Sequence, residues 1–366
     1  MDKNILFDYF TINGTGLRNR VGVAPMTRIS ATEEGFITDV MVNYYRSFAK
    51  GGFGLVITEG TYIDDKNSQT YYHQPGIALD GQAKEWKKVV DAVHSEGGKI
   101  FMQLQHTGPL SQGNRYTDET IAPSAVQPKG EQLKFYVGEG EFKLPRTITG
   151  EEMNEVKNSF VAAAKRAKSV GFDGIELHGA NGYLLDAFLT EYTNLRTDEY
   201  GGSTENRVRF LVEIANEVSL AVAGSNFTIG MRISQSQVND YFYKWSGKEE
   251  DAKIIFGALG KSGLDYIHIT EYEAWQPAFE GNETSLVSLA KKYSQLPIIA
   301  NGHLEDVERA VDILTNGGAD IVTLGKGALA NHDWVNKVQK GEFLSDFKPN
   351  EVLHPVANIK DFEIEE

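Results

Sequence analysis

An α/β barrel of eight parallel strands, each followed by a helix, is the fold class that this sequence predicts, and three observations predict it. Short apolar runs alternate with longer amphipathic stretches along the chain, the rhythm of repeated strand-helix units on a parallel sheet. Eight of those runs qualify as strands. Nearly every one ends in residues whose polarity suits a site better than a core, and closed parallel barrels draw their sites from strand carboxyl ends. The 366 residues fit two ordinary domains or one large single-core barrel. No linker-like shift in composition and no low-complexity segment divides them, so residues 1–366 read as a single domain.

Taken in order, strands are expected at 20–26, 54–59, 99–104, 174–178, 228–233, 266–270, 297–301 and 321–324. Each run is short, apolar and bounded by turn-forming or polar residues. Helices are expected at 39–50, 80–96, 204–222, 249–262, 283–294, 304–316 and 333–340, and the clearest follows Thr149. There Met153, Val156, Phe160, Ala163, Ala164, Ala167 and Val170 recur at helical spacing. Thr149 and Glu152 fit a capping box, in which hydroxyl and carboxylate each satisfy a backbone N–H left free at the helix start. Eight such units close into a TIM (β/α)8 barrel. An open doubly wound sheet is the alternative, and it does not account for the strand count. One connection, 106–148 between the third strand and its helix, is too long to be a plain loop. It holds Pro, Gly and a hairpin expected around 137–141, and reads as a capping insertion over the barrel mouth.

Composition narrows the function. With 41% hydrophobic and 24% charged residues the chain has ample material for a core. A net charge of -15 argues against a general nucleic-acid binder, though not against a local basic pocket for one phosphate. The absence of cysteine excludes disulfides, thiolate metal sites, catalytic thiols and cysteine-held iron–sulfur clusters. The amino terminus, MDKNILFDYF, lacks a basic region followed by a long apolar core, and no apolar run approaches membrane-spanning length. A cytoplasmic protein with no membrane partner is expected, and the oligomeric state, homo-oligomer included, is left open.

The stretch 173–202 organises the rest. Ile175 and Leu177 alternate about Glu176 as in a strand, which breaks at His178, and His178, Asn181 and Tyr183 follow within six residues. An imidazole, a carboxamide and a phenol beyond a strand's carboxyl end offer several hydrogen-bond donors and one proton donor, a set suited to polarising a carbonyl. A lone histidine there would ordinarily be structural. Here the run HGANGYLLDAFL, followed by NLRTDEYGGSTENR, resembles the old yellow enzyme family of flavin-dependent alkene reductases.

That resemblance extends over about 17–335 and implies bound FMN, with NADPH or NADH as electron donor and an activated alkene as substrate. After the first strand, Ala24, Pro25, Met26 and Thr27 would meet the flavin, the Thr27 hydroxyl at a ring carbonyl. Gly60 would let backbone approach a planar ring, and the Gln103 amide would make a two-point contact with the flavin pyrimidine. Gln105 departs from the family's usual aromatic or Ala. Arg232, at the end of an apolar strand, is costly there unless it meets an anion or acceptor. The resemblance places it near the flavin N1 and C2 carbonyl. The last two strands end in IIANGH and TLGKGAL, each a Gly turn before a helix, so that backbone amides and the helix's positive end could cradle a phosphate. Asn301, Gly302, Gly325 and Lys326 correspond to cofactor positions, Lys326 replacing the usual Arg. His268, Glu271, Tyr272 and Trp275 either line a substrate mouth or pack over the barrel.

The mechanism thus implied has His178 and Asn181 hold the substrate carbonyl oxygen, hydride pass through flavin N5 to the β-carbon, and Tyr183 protonate the α-carbon. Two alternatives stay open: a metal-dependent barrel hydrolase with Glu176, His178 and His268 as ligands, and a non-catalytic flavin-binding barrel.

Overall fold

The computed structural model describes residues 3–222, 226–281 and 283–364. Eight strands carry the fold: β1 Val21–Val23, β2 Leu55–Ile57, β3 Lys99–Gln105, β4 Gly174–Asn181, β5 Thr228–Gln237, β6 Tyr266–Thr270, β7 Ile298–Asn301 and β8 Ile321–Leu324. Each pairs in parallel with its sequence neighbours, and β8 returns to β1 with Val322 opposite Val21, so the sheet closes on itself. Closure rules out the open doubly wound sheet. All eight expected strands are present, and β3, β4 and β5 run beyond their expected ends because polar site residues themselves continue the extended chain.

Outside lie α1 Asp39–Lys50, α2 Asp80–Ser95, α3 Gly150–Ser169, α4 Thr204–Val222, α5 Glu249–Leu259, α6 Leu286–Ser294, α7 Val307–Thr315 and α8 Trp334–Lys340. The capping box at α3 is present: the Glu152 N–H donates to Thr149 Oγ1 at 3.2 Å and the Thr149 N–H to Glu152 Oε2 at 2.8 Å. Arg146 grips the same carboxylate and holds Glu152 down at about 2. Two helices begin three residues later than expected. Ser285 caps α6 by accepting from the Ser288 N–H, and Asp306 caps α7 by accepting from the Arg309 N–H. In each case the cap, and not the apolar pattern, sets the boundary.

Strand alternation divides the core into two layers. Val56, Met102, Leu104, Ile175, Leu177, Ile267, Ile269, Ile298 and Ala300 face the helices. Leu55, Ile57, Phe101, Tyr266, Ile299 and Ile321 face inward and fill the barrel's lower half together with Ile12 and Leu17. Those last two come from an amino-terminal hairpin, Phe10–Ile12 with Thr15–Leu17, that plugs the barrel floor; its turn residues Asn13 and Gly14 have φ of 45° and 79°.

Segment 106–148 contains two short 3-10 turns and the parallel pair Ile121–Ala122 with Arg146–Thr147. The hairpin expected around 137–141 is reduced to one antiparallel bridge between Glu131 and Glu141, because Lys134–Tyr136 coils into a 3-10 turn ended by left-handed Val137. Beyond α8 the chain returns to the loop after β1. There the buried Arg28 guanidinium donates to both carboxylate oxygens of Glu363, at 2.5 and 2.6 Å, and to the carbonyls of Ala357 and Asn358. Among the described residues no helix is long and apolar enough to cross a membrane.

Candidate active site

Inward-facing residues become polar toward the carboxyl end of the barrel, and the strand register sets who meets whom. Gln103 lies opposite Glu176, and Arg232 lies opposite both His178 and His268. Fully buried Glu176 accepts from Gln103 Nε2 at 2.9 Å and the Tyr266 hydroxyl at 3.1 Å, and contacts His268 Nδ1 at 2.8 Å. Burial works against its charge, but His268, Arg232 and Gln103 outweigh burial and hold its pKa below the usual value. His268 completes the layer through Thr323 Oγ1 at 2.8 Å. The sequence grouped His268 with the mouth residues; the structure instead buries it wholly inside the barrel. Among the described residues no three His, Cys, Asp or Glu side chains form a metal-ligand set, so Glu176, His178 and His268 do not combine as the hydrolase alternative requires.

One layer higher, Arg232 Nη2 donates to Asn301 Oδ1 at 2.8 Å and Thr270 Oγ1 at 3.2 Å. Asn301 Nδ2 donates to the Thr323 carbonyl, so this carboxamide, expected at the cofactor, is committed to fixing Arg232. Burial lowers the Arg232 pKa to about 10, which leaves the group a cation at neutral pH. His178 is 3% exposed. Burial, then the charge of Arg232, pushes its pKa far below the ordinary value, so the imidazole is neutral.

The chain turns sharply after β4. Asn181 and Gly182 both take positive φ, 65° and 87°, the first tolerated by asparagine and the second suited to glycine. The Gly182 N–H donates to Asp186 Oδ2 at 2.6 Å, which ties the turn to the short helix Leu184–Leu189. Tyr183 is thereby set beside His178, ring centroids 5.0 Å apart, with its hydroxyl 2.8 Å from that of Tyr71. Burial pushes the Tyr183 phenol up to about 12, against hydrogen bonds to Tyr71 and Gln105 that pull it down.

These groups share a cavity of about 340 Å³ at the barrel's carboxyl end, to which Pro25, Met26, Thr27, Gly60, Gln103, His178, Asn181, Tyr183, Arg232, Gly325 and Lys326 all contribute. A second hollow of about 200 Å³ joins it through Gly325 and Lys326 and is walled by Asn301 and Gly302. Ala24 alone of the expected residues lines neither; it is buried, its N–H donating to the Leu324 carbonyl in the barrel wall. Gly60 lines the cavity, but the close approach it permits is to Gln105, whose Oε1 lies 1.6 Å from where a Cβ would stand. The expected helix end after β7 is also corrected: α7 starts five residues beyond Gly302, and the Asp306 carboxylate occupies its N-terminus.

A model of the NADH:flavin oxidoreductase / NADH oxidase family matches residues 5–344. The chain belongs to the old yellow enzyme family. It is 33% identical over 356 residues to a probable flavin mononucleotide-dependent alkene reductase of Leishmania infantum, covering 94% of this chain and 93% of that one. It is 34% identical over 345 residues to an NADH oxidase of Thermoanaerobacter brockii, covering 92% of this chain but about half, 51%, of that longer protein. The old yellow enzyme homologue of Zymomonas mobilis superposes with a TM-score of 0.84 at 28% identity, over 93% of this chain and 94% of the other. Like the family, the chain is an NAD(P)H-dependent flavin oxidoreductase.

The residues of this old yellow enzyme cavity fit FMN. Arg232 Nε is buried without a hydrogen-bond partner among the described residues, and an acceptor-rich heteroaromatic ring would supply one. Gln103 Nε2 uses one hydrogen on Glu176, so its contact with a ligand falls to the other hydrogen and the carbonyl. A Cβ at Gly325 would meet only Met26 Sδ, at 3.7 Å, which leaves that backbone open toward the phosphate hollow beside Lys326. The sequence reading missed Tyr71, Tyr136, Phe347 and Leu353, which also line the cavity. They lie on loops or beyond α8, where no strand-end pattern points to them.

Proposed function

We propose that this enzyme holds FMN across the carboxyl end of the barrel and uses NADH or NADPH to reduce the C=C bond of electron-poor alkenes such as enones and enals. The observation that carries this reading is the meeting in one cavity of His178 and Asn181 on β4, Arg232 on β5, Tyr183 just beyond β4 and Lys326 just beyond β8. Bound FMN would supply a two-electron carrier between nicotinamide and alkene. Lys326, with the amides at Gly302 and Gly325, would hold its phosphate, as a point charge where the family usually has a forked Arg. Arg232, fixed by Asn301 and Thr270 before any ligand arrives, would meet the ring together with Thr27 and Gln103.

Toward substrate, neutral His178 and Asn181 donate to the carbonyl oxygen, and those bonds strengthen as negative charge grows there, so they lower the barrier as well as bind. Tyr183, protonated throughout the neutral range, gives its proton to the α-carbon. Leu133, Phe135 and Tyr136 of segment 106–148 wall the same cavity, which supports its role as a cap that excludes water. The test is a panel of enones and enals with both nicotinamides on FMN-loaded protein. The alkene reading fails if NADH bleaches the flavin yet no member of the panel restores its colour.

His178→Ala is expected to weaken phenolate ligands by about tenfold to a hundredfold, the loss of one hydrogen bond to a charged acceptor. Titration followed by flavin absorbance measures it, and an unaltered affinity would remove His178 from the anion-holding pair.

A further inference from the structure

Beside the flavin cavity lies a second of about 750 Å³, formed by the loops after β5 and β6, and Asn181, Val238 and Tyr241 wall both. We infer that it seats the adenosine half of the nicotinamide donor, and that its charge selects NADH over NADPH. This rests on the flavin reading above.

Continuity comes first. A nicotinamide ring held over His178 and Asn181 has room for the remainder of the dinucleotide past Asn181 and Tyr241, in this cavity. A small cyclic enone would leave it empty. Three large aromatics stand on its walls in solvent: Tyr241 is 64%, Phe242 94% and Tyr272 71% exposed. Exposed aromatics gathered at a cavity mark a binding surface, and flat rings accept a stacked adenine.

The charges decide between donors. Among the described residues Lys244 is the single cation lining the cavity and is already paired to Glu271 at 2.5 Å, while Glu273 adds a second carboxylate with no ion pair. The walls therefore carry a net charge of one negative. Carboxylates accept hydrogen bonds from a ribose 2′-hydroxyl, whereas a 2′-phosphate needs a free Arg or Lys and is repelled here. The pyrophosphate is common to both donors and does not discriminate.

The test uses tetrahydroNAD and tetrahydroNADP, which bind without transferring hydride, titrated into FMN-loaded enzyme and read by long-wavelength charge-transfer absorbance. TetrahydroNAD should bind at least about tenfold more tightly, since an unpaired carboxylate close to an added phosphate repels it. Glu273→Lys should narrow or invert that ratio. Phe242→Ala should weaken both analogues, yet leave tetrahydro-nicotinamide mononucleotide, which lacks adenosine, unaffected. Equal affinities for the two dinucleotides, or a ratio indifferent to Glu273→Lys, overturn the inference while the flavin reading stands. A flavin-loaded protein that binds none of the three analogues overturns both.

Discussion

Tyr183→Phe is expected to slow alkene reduction by about a hundredfold to ten-thousandfold, the usual contribution of a positioned general acid, while reduction of the flavin by NADH keeps its rate. Only the alkene half-reaction needs a proton at carbon. The phenylalanine ring keeps the packing against Leu110, Phe142 and His178, so the loss isolates the hydroxyl. That hydroxyl is one of a buried tyrosine pair, 2.8 Å from that of Tyr71, and burial, which pushes it up to about 12, keeps it in the acid form. Activity limited by this proton should hold steady through neutral and mildly alkaline pH and fall only as the pH nears about 12. His178 adds no step in the neutral range, because burial keeps it neutral there already. Stopped-flow measurement of the two half-reactions separates the outcomes: if both slow together, Tyr183 positions ligands and does not donate the proton.

The largest loss of stability is expected from Glu363→Ala, about 3–5 kcal/mol, because it leaves the Arg28 guanidinium buried without its counter-charge. Both side chains are essentially inaccessible, at 0% and 1%. Burial alone would lower the Arg28 pKa, but Tyr44 and Glu363 outweigh it and hold the group above its ordinary value. The remaining carbonyl partners at Ala357 and Asn358 cannot neutralise that charge. Glu363→Gln, which keeps hydrogen-bonding capacity, should fall between. Urea unfolding reads the difference, and a shift worth less than about 1 kcal/mol would reduce the pair to the value of an ordinary surface bridge.

The barrel was legible because its strands and helices obey simple periods, and the inner layer followed once register set Gln103, Glu176, His178 and Arg232 side by side. What escaped depends on contacts distant in sequence. Nothing local marks Tyr71 as the partner of Tyr183, or Gln105 as the reason for Gly60. Nor does local pattern reveal that Asn301 spends its side chain on Arg232 and Thr323, or that Asp306 already serves the end of α7. The floor hairpin is a different kind of miss. Asn13-Gly14 between apolar runs is a strong turn signal, but both arms are only three residues long, too short for alternation to mark them as strands.

The loop after β1 has two faces. Pro25, Met26 and Thr27 border the cavity, and the next residue, Arg28, sends its N–H to Glu59 and its side chain to the returning carboxyl-terminal segment. On the flavin site proposed above, affinity for the pigment and resistance to fraying at that end of the molecule share one short stretch of backbone. On that proposal, a variant library screened only for colour would enrich the sturdier proteins as well.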